Sequence, residues 1–189
     1  MEIRIANIAD IEGVLALQQL YLYDSLAESE RKNGFVTTPF TPQQVEAVIS
    51  DQALFIAVDE GKVVAYIFAG SWEFYSQWPI FPYMTSLFPG LTFKGSTVSI
   101  ESSFQYGPIC IDVSYRGSGL LLSLFEFMRQ HMAKRYPLTA TFINKVNVRS
   151  LKAHVDKLGW RVIGNFQYND KDYWILAYDM GIPAVVNAK

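Results

Sequence analysis

The spacing of apolar residues predicts a short strand and two helices at the start of the chain. Residues 2–6 alternate between polar and apolar side chains, as in a strand with one buried face. The apolar residues that follow recur at helical spacing, at Ile8, Ile11, Val14, Leu15 and Leu22. Asn7 is a suitable N-cap for this helix because Asp10 follows three residues later. Thr41 followed by Pro42 opens a second, shorter helix.

The next segments predict a loop, a hairpin and an irregular aromatic stretch. Residues 25–41 are polar and carry helix breakers, so we expect a loop. Residues 53–58 and 62–69 are rich in β-forming side chains and are joined by Asp59-Glu60-Gly61, which is a hairpin signal. Residues 70–99, here called the aromatic segment, are too rich in proline for regular structure and too aromatic for a solvated linker. Two interpretations of the aromatic segment stay open: a loop packed on the core, or a wall facing a substrate or partner.

The second half of the chain alternates strands with helices. Residues 99–111 have strand character, and Pro108 cannot donate a ladder hydrogen bond, so we expect an exposed edge near it. A central helix to about Arg135 follows, with apolar residues at Leu121, Leu124, Phe125, Met128 and Met132. The remaining predicted elements are a strand at 138–143, a helix at 148–158 ended by Gly159, strands at 160–168 and 173–180, and a tail at 181–189.

The predicted order of elements, βααβββαβαββ, defines a mixed α/β fold in which helices flank a central mixed β-sheet. Parallel pairing is expected around the central helix. The length of 189 residues fits one domain. We therefore interpret residues 1–180 as a single domain with the aromatic segment as an insertion, followed by a partly mobile C-terminal tail at 181–189.

The composition narrows the class of protein. Half of the residues are apolar and 15% are aromatic, which is typical of a globular chain. A net charge of −2 gives no electrostatic case for binding nucleic acid. The single cysteine, Cys110, excludes an intramolecular disulfide and a cysteine-based zinc site, and we expect no metal cofactor. Because there is no secretion signal and no apolar run near the roughly 20 residues that span a bilayer, we expect a cytoplasmic protein that does not bind membranes.

The run from Asp112 to Leu121, here called the glycine turn, carries the most informative chemistry. It lies between a predicted strand and the central helix, and a helix start leaves several backbone N–H groups unpaired. Glycines let a ligand approach these N–H groups closely, and the helix dipole adds partial positive charge. Arg116 could pair directly with phosphate oxygens. The turn is suited to a phosphate or pyrophosphate, although neither a P-loop nor a dinucleotide-binding motif is present.

The glycine turn resembles motif A of the GNAT acetyltransferase superfamily, Gln/Arg-x-x-Gly-x-Gly/Ala. Arg116 and Gly119 match this pattern, and Leu121 stands where the last Gly or Ala is expected. A second run, from Asn147 to His154 and on through Leu158-Gly159-Trp160, resembles the C-terminal signature of the same superfamily. The two signatures occur in the right order and, with the opening strand and helices, cover nearly the whole chain. The resemblance implies a GNAT-like acyl-CoA N-acyltransferase fold.

The resemblance also implies an activity, which is transfer of an acetyl group from acetyl-CoA to a primary amine of a small molecule or peptide by direct attack. In this superfamily the strand before motif A splays from its neighbour, and an interruption at Pro108 is compatible with that opening. The implied cofactor-binding residues are Ile111, Asp112 and Val113 for pantetheine, Arg116, Gly117, Ser118, Gly119, Leu120 and Leu121 for the pyrophosphate, and Asn147 and Ser150 along the cofactor's other side.

Two residues are candidates for the catalytic acid and base. A general base should have its pKa raised by burial, and Glu101, just before the strand that enters the glycine turn, is the best candidate. An exposed loop carboxylate is the alternative role for Glu101. The acid in this superfamily is usually a tyrosine of the last helix; His154 takes about that place, in a segment to Gly159 that is one residue longer than usual. Packing or capping is the alternative for His154, while His131 and Cys110 are expected to be structural.

No residue identifies the acceptor amine. We expect the aromatic segment to form the acceptor side of the site, with Trp78 and Tyr83 as substrate-binding residues, because aromatic rings favour an apolar, aromatic or cationic acceptor. Two functions of other classes stay open. One is a CoA-binding module without catalysis, suggested by Leu121 and the missing tyrosine, and the other is an interaction protein on a GNAT scaffold. A monomer and a homodimer are both compatible with the sequence.

Overall fold

A computed structural model describes residues 1–31 and 34–184. The chain divides into two compact units. The first unit comprises Met1–Ala69 and Gly107–Gln130, and the second comprises Gly70–Tyr106 and the chain from His131 onward. Residues 32–33 of the predicted loop and residues 185–189 of the predicted tail lie outside the described residues.

The described residues form a mixed α/β fold. The strands are β1 (Glu2–Ile5), β2 (Leu54–Asp59), β3 (Lys62–Gly70), β4 (Thr92–Phe93), β5 (Ser96–Thr97), β6 (Ser103–Ile111), β7 (Leu138–Asn144), β8 (Arg161–Tyr168) and β9 (Lys171–Asp179). The α-helices are α1 (Ile11–Tyr21), α2 (Glu28–Arg31), α3 (Pro42–Ser50), α4 (Trp72–Tyr75), α5 (Ile80–Ser86), α6 (Leu120–Met132) and α7 (Val148–Lys152). A π-helix over Ala153–Leu158 continues α7.

Seven strands form one sheet in the order β1-β2-β3-β6-β7-β9-β8, and β4 pairs with β5 separately. The β1–β2, β2–β3, β7–β9 and β8–β9 pairs are antiparallel, whereas β6 and β7 are parallel and α6 connects them. The mixed sheet and the parallel pair around the central helix confirm the predicted fold class. Among the described residues, no helix is both long enough and apolar enough to cross a membrane.

The first unit begins with the caps that the sequence predicts. Asn7 and Asp10 form a capping box on the 3₁₀ turn that leads into α1. Arg4 donates two hydrogen bonds to Asp10, at 2.6 and 2.8 Å, and this pairing lowers the pKa of the Asp10 carboxyl. Thr41 and Gln44 form a second capping box at the start of α3. These interactions tie β1 to α1 and set the first turn of α3. The expected loop at 25–41 differs from prediction because it contains the short helix α2.

The β2–β3 hairpin has the predicted turn. Glu60 and Gly61 have φ angles of 47° and 76°, which is the positive-φ pair that a two-residue hairpin turn requires. The register runs from Leu54 opposite Phe68 to Asp59 opposite Lys62, and the middle of both strands is fully buried. The hairpin is therefore the core of the first unit.

Strand β6 begins later than predicted and is not an edge strand. Residues 99–102 form a turn in which the Ser99 hydroxyl accepts a hydrogen bond from the N–H of Ser102 at 3.2 Å. In the sheet order β6 lies between β3 and β7, so it is not an edge strand along its whole length. The register with β7 runs only from Ser103–Leu138 to Gln105–Ala140, so Pro108 lies on a side of β6 that has left this pairing, as the expected edge near Pro108 requires. The missing N–H of proline thus falls where β6 has left the β7 register.

The aromatic segment is more regular than the sequence predicts. It contains α4, α5, a 3₁₀ turn and the β4–β5 hairpin. The Ser71 hydroxyl caps α4 by accepting a hydrogen bond from the N–H of Phe74, and Pro79 immediately precedes α5. Proline is tolerated at a helix start because the N–H there has no intrahelical partner. Pro79 therefore precedes α5 and Pro82 lies in its first turn, so the prolines do not prevent this short helix.

Contacts within the second unit hold the aromatic segment against the strands. Trp72 donates from Nε1 to the Ser103 hydroxyl at 3.1 Å, and Lys94 forms an ion pair with Asp179 at 2.6 Å. A Cβ atom at Gly164 would lie 2.9 Å from a Leu91 methyl carbon, so the segment packs directly on β8. These contacts favour the packing interpretation for most of the segment.

The end of the chain confirms the predicted helix and hairpin. Gly159 follows the π-helix with a φ of 80°, the left-handed conformation typical of a helix C-terminus. Asn169 and Asp170 both have positive φ and form the β8–β9 turn. After β9, the Tyr178 hydroxyl donates to the carbonyl of Ile182 at 2.9 Å, so the tail is held at least to that residue.

Candidate functional site

The glycine turn is attached to the end of β6 by local hydrogen bonds in the first unit. The N–H of Asp112 donates to the carbonyl of Val64 on β3 at 2.9 Å. The Asp112 carboxylate accepts from the N–H of Ser114 at 2.9 Å and so caps a 3₁₀ turn over Val113–Tyr115. The Ser118 hydroxyl donates to the carbonyl of Tyr115 at 2.6 Å. The turn is therefore an ordered connection that leads into α6.

Several backbone N–H groups at the start of α6 make no hydrogen bond to the part of the chain that the structure describes. Gly117 and Gly119 have φ angles of 85° and 90°, and a Cβ atom at either would meet nothing within 4 Å. Glycine is thus required there by backbone conformation and not by crowding. Within residues 1–31 and 34–184, the N–H groups of Gly117, Ser118, Gly119 and Leu121 make no hydrogen bond to the protein. The turn presents four donors at the positive end of a 13-residue helix, which suits an anion.

The apolar face of α6 differs from the prediction at one position. Leu120, Leu124, Phe125, Met128 and Met132 are buried, whereas Leu121 is only half-buried. The helix starts at Leu120, and this residue occupies the position one turn before Leu124. Arg129 of the same helix is buried despite its charge and forms a 2.6 Å ion pair with Glu126.

Arg116 holds the glycine turn against the end of β6. Its Nε atom donates to the carbonyl of Ile111 at 2.8 Å, and its guanidinium carbon lies 4.8 Å from the centroid of the Tyr21 ring. The sequence suggested that this guanidinium pairs directly with phosphate. In the structure at least one of its donors is used by the protein itself.

Two tyrosines make contacts near the glycine turn that the sequence did not predict. The Tyr21 hydroxyl, at the end of α1, accepts a hydrogen bond from the N–H of Val113 at 2.8 Å. The Tyr115 hydroxyl donates to Asp59 at 2.8 Å. Burial is the main cause that raises the pKa of Tyr21. Because Tyr21 and Val113 are 92 residues apart, no local pattern could have indicated this contact.

The other implied cofactor residues lie in the second unit. Asn147 is the N-cap of α7 and accepts a hydrogen bond from the N–H of Ser150 at 3.2 Å. One turn later, Nδ1 of His154 lies 2.7 Å from the carbonyl oxygen of Ser150. The structure therefore brings Asn147, Ser150 and His154 together along one helix.

His154 is buried as a neutral imidazole. A carbonyl oxygen only accepts hydrogen bonds, so Nδ1 carries the proton and Nε2 carries the lone pair. Nε2 is buried and has no hydrogen-bond partner among the described residues. Burial lowers the pKa of His154 to about 4, between the rings of Tyr106 and Trp160. The acid role expected for His154 would need a proton on Nε2, because Nδ1 is engaged with Ser150, and Nε2 carries none at neutral pH.

The π-helix accounts for the additional residue noted before Gly159. His154 lies within the π-helix over Ala153–Leu158, and the N–H of Trp160 donates to its carbonyl at 3.0 Å. Such turns accommodate one extra residue and are frequent at functional sites.

Glu101 has an environment opposite to the one expected of a buried base. The residue is exposed in the turn before β6. Hydrogen bonds from its own backbone N–H and from the Ser99 hydroxyl lower its pKa. The prediction that burial raises the pKa of Glu101 is therefore wrong, because the side chain is exposed and its pKa is lowered.

Cys110 is the buried strand residue that the sequence predicts. Only 4% of its surface is exposed, and burial raises the pKa of its thiol to about 12. At neutral pH the thiol stays protonated and is a poor nucleophile.

Trp78 and Tyr83 have different surroundings. Trp78 is half-buried and packs against Phe74, Tyr75 and Phe81 within the aromatic segment. Tyr83 is 42% exposed and packs against residues of β8. Tyr83 therefore has a free surface for a ligand, whereas Trp78 contributes mainly to the packing of the segment.

Comparison with known proteins identifies the fold. No protein-family model matches the sequence, and no curated protein matches it. A solved acetyltransferase of Salmonella typhimurium, yncA with its cofactor acetyl-CoA, superposes with a TM-score of 0.64 at 14% identity, covering 100% of this chain and 99% of that one. Ribosomal-protein-alanine N-acetyltransferase of Brucella melitensis gives 0.61 at 16% identity, covering 95% and 99%.

A GNAT-family acetyltransferase of Streptococcus pneumoniae gives a TM-score of 0.61 at 13% identity, covering 94% of this chain and 98% of that one. At these identities the likeness establishes the fold. The chain has the GNAT acetyltransferase fold, as the resemblance of its two signatures implied.

Proposed function

We propose that the protein is an acetyl-CoA-dependent N-acetyltransferase that acts on a primary amine of a small molecule or peptide. The observation that carries the proposal is the set of four backbone N–H groups, at Gly117, Ser118, Gly119 and Leu121, that have no partner among residues 1–31 and 34–184. They precede a long helix in a chain with the GNAT fold. Donors in this arrangement fit the diphosphate group of coenzyme A.

The remaining cofactor contacts are assigned by resemblance to the family. Asn147 and Ser150 would bind along the cofactor, and the main chain at Ile111–Val113 would meet pantetheine. In the first unit several of these main-chain groups are already used, because the N–H of Val113 donates to Tyr21 and the carbonyl of Ile111 accepts from Arg116. Pantetheine would therefore bind through second lone pairs or displace the Tyr21 contact.

The proposed reaction is direct attack of a neutral amine on the thioester carbonyl. The amine lone pair forms the new C–N bond, the C–S bond breaks, the nitrogen loses a proton and the thiolate gains one. Glu101, ionised at neutral pH, is proposed to accept a proton through water. His154 can accept at Nε2 but cannot donate from it, so the thiolate would take its proton from solvent or from another donor.

Binding of acetyl-CoA tests the cofactor assignment. At a concentration 100-fold above the dissociation constant, linkage predicts about 2.7 kcal/mol of added stability. A melting temperature that saturating acetyl-CoA leaves unchanged would contradict the assignment. Turnover of a panel of amines, followed by release of free thiol, then tests the transfer reaction.

A CoA-binding module without catalysis is the second candidate. Two observations favour it, namely Leu121 in place of the last small residue of the motif and the absence of a proton on Nε2 of His154. Stabilisation by acetyl-CoA without turnover of any amine would establish this alternative.

A further inference from the structure

Gln105 lies where the parallel pairing of β6 with β7 ends. It is the last β6 residue in register with β7, opposite Ala140. Its Nε2 donates to the carbonyl of Tyr106 at 2.8 Å and to the Thr141 hydroxyl at 3.3 Å. Thr141 in turn donates to the same carbonyl at 2.7 Å. The side chains of Gln105 and Thr141 thus both donate to the carbonyl of Tyr106, the first β6 residue beyond the pairing with β7.

These contacts fix the orientation of the Gln105 amide. The carbonyl of Tyr106 can only accept, so the NH₂ group of Gln105 must face it. Exchanging nitrogen and oxygen would place two acceptors 2.8 Å apart. Oε1 therefore points away from the ladder.

Oε1 of Gln105 is a buried acceptor without a donor. Gln105 is only 3% exposed, and within the described part of the chain no group donates to Oε1. A buried polar atom that lacks a partner is uncommon and calls for an explanation, such as a bound water or ligand. An N–H group supplied by a bound molecule would satisfy this oxygen.

The aromatic segment covers the strand face on which Gln105 lies. Side chains two residues apart point to the same face of a strand, so Gln105 shares a face with Ser103. Trp72 of the aromatic segment donates to the Ser103 hydroxyl. Tyr106 points to the opposite face, where it contacts His154 and Trp160. The Gln105 side chain thus starts from the face that the aromatic segment covers, and its amide reaches the gap between β6 and β7, where it contacts Thr141.

We propose that Oε1 of Gln105 accepts a hydrogen bond from the N–H of the acceptor amine and selects primary over secondary amines. The inference rests on the proposed acetyltransferase function. A neutral primary amine has two N–H groups and one lone pair. The lone pair attacks the thioester carbonyl, one proton leaves to a base, and the second N–H remains in the product amide.

Gln105 holds the N–H that stays. An amide oxygen is too weakly basic to remove a proton, so Gln105 binds the amine and does not deprotonate it. A secondary amine has one N–H, which must leave during the reaction, so it cannot keep this hydrogen bond through the transition state. The preference for primary amines should therefore appear in kcat/KM.

The test compares 2-phenylethylamine and a peptide beginning with alanine with their N-methyl forms, using the parent protein and Gln105→Met. Methionine has a similar length and lacks the oxygen acceptor. The parent should prefer each primary amine by about tenfold or more, as expected for a buried hydrogen bond. Gln105→Met should lose this preference and show a similar fall in kcat/KM for primary amines, with unchanged stabilisation by acetyl-CoA.

Thr141→Val is the matched control. It removes the other side chain that closes the ladder while leaving Oε1 in place, so it should lower the melting temperature and keep the preference for primary amines. An equal loss of preference in Thr141→Val would assign Gln105 to strand closure and overturn the proposal. Should Gln105→Met fail to fold, a parent that acetylates N-methyl amines as fast as primary ones overturns it. A parent that binds acetyl-CoA but acetylates no amine refutes the proposed function itself.

Discussion

The Nε atom of Arg116 donates a hydrogen bond to the carbonyl oxygen of Ile111 at 2.8 Å. These residues delimit the connection between β6 and the glycine turn, and the Arg116 guanidinium also covers the Tyr21 ring. The arginine therefore maintains the shape of the turn in addition to supplying positive charge. The backbone donors that follow it would remain if the side chain were lost.

Arg116→Ala should weaken acetyl-CoA binding moderately, by about tenfold, because the turn loses its brace and a nearby charge. Titration calorimetry and thermal unfolding measure the two effects. Arg116→Lys is the matched control because it keeps the charge without the planar fork. If Lys restores full affinity, charge alone explains the role of Arg116.

Gly119→Glu should reduce acetyl-CoA affinity by about 100-fold or more, because it places a carboxylate beside the four N–H groups at the start of α6 that would bind phosphate. The variant should still fold, since a Cβ atom there meets nothing within 4 Å, although a φ of 90° adds strain. Gly119→Gln has the same size and strain without the charge. Equal affinity of Gly119→Glu and the parent would show that the turn is only a helix start.

Glu101→Gln should lower turnover while the dissociation constant of acetyl-CoA stays the same, because the amide keeps the shape and removes the basicity. Since the pKa of Glu101 is lowered, the loss of parent activity caused by its protonation should occur below the ordinary pH range of a glutamate. The fall of kcat/KM at low pH measures this protonation. Identical profiles for the variant and parent would assign the base to another residue or to water.

His154→Phe should change how stability depends on pH. The unfolded histidine takes up a proton near pH 6.5, whereas the folded one stays neutral down to about pH 4. In this window the unfolded state binds more protons, so parent stability should fall by roughly 3 kcal/mol as the pH is lowered.

The measurement for His154 is denaturant unfolding of the parent and His154→Phe at several pH values between 6.5 and 4. The difference between the two curves isolates His154 from the carboxylates that titrate at lower pH. Parallel curves would mean that His154 reaches solvent. Turnover of the same variant tests its catalytic role separately.

Tyr83→Ala should raise the KM of the acceptor and leave the dissociation constant of acetyl-CoA unchanged. Tyr83 is 42% exposed, so the loss of packing should be small. Trp78→Ala should raise the same KM but also lower the melting temperature, because Trp78 packs against three aromatic rings. Steady-state kinetics with calorimetry separate these effects. Loss of stability with normal kinetics in both variants would make the segment core packing.

The helix starts and turns could be read from the sequence because each depends on neighbouring residues. Asn7 with Asp10, and Thr41 with Gln44, form capping boxes across three residues. Likewise, the left-handed glycine at 159 ends a helix locally. The glycine turn belongs to the same group, since its free N–H groups follow from a helix start.

The sequence did not determine the surroundings of single side chains. Glu101 and His154 were selected by their positions in the sequence. In the structure, hydrogen bonds lower the pKa of the exposed Glu101 and make it a weaker base. His154 is buried as a neutral imidazole without a proton at Nε2. Protonation depends on burial and on partners from other segments, so it is a tertiary property.

By itself, the sequence determined the order of the seven main-sheet strands and of the longer helices, together with their caps and turns, and it predicted an anion-binding turn around Gly119. These features arise from interactions between residues close in the chain. Only the tertiary structure decided that Tyr21 contacts Val113, that the aromatic segment forms packed helices, and that Oε1 of Gln105 has no donor among the described residues. Each of these features depends on which residues, far apart in the chain, pack together. The spacing of residues along the sequence does not indicate such contacts.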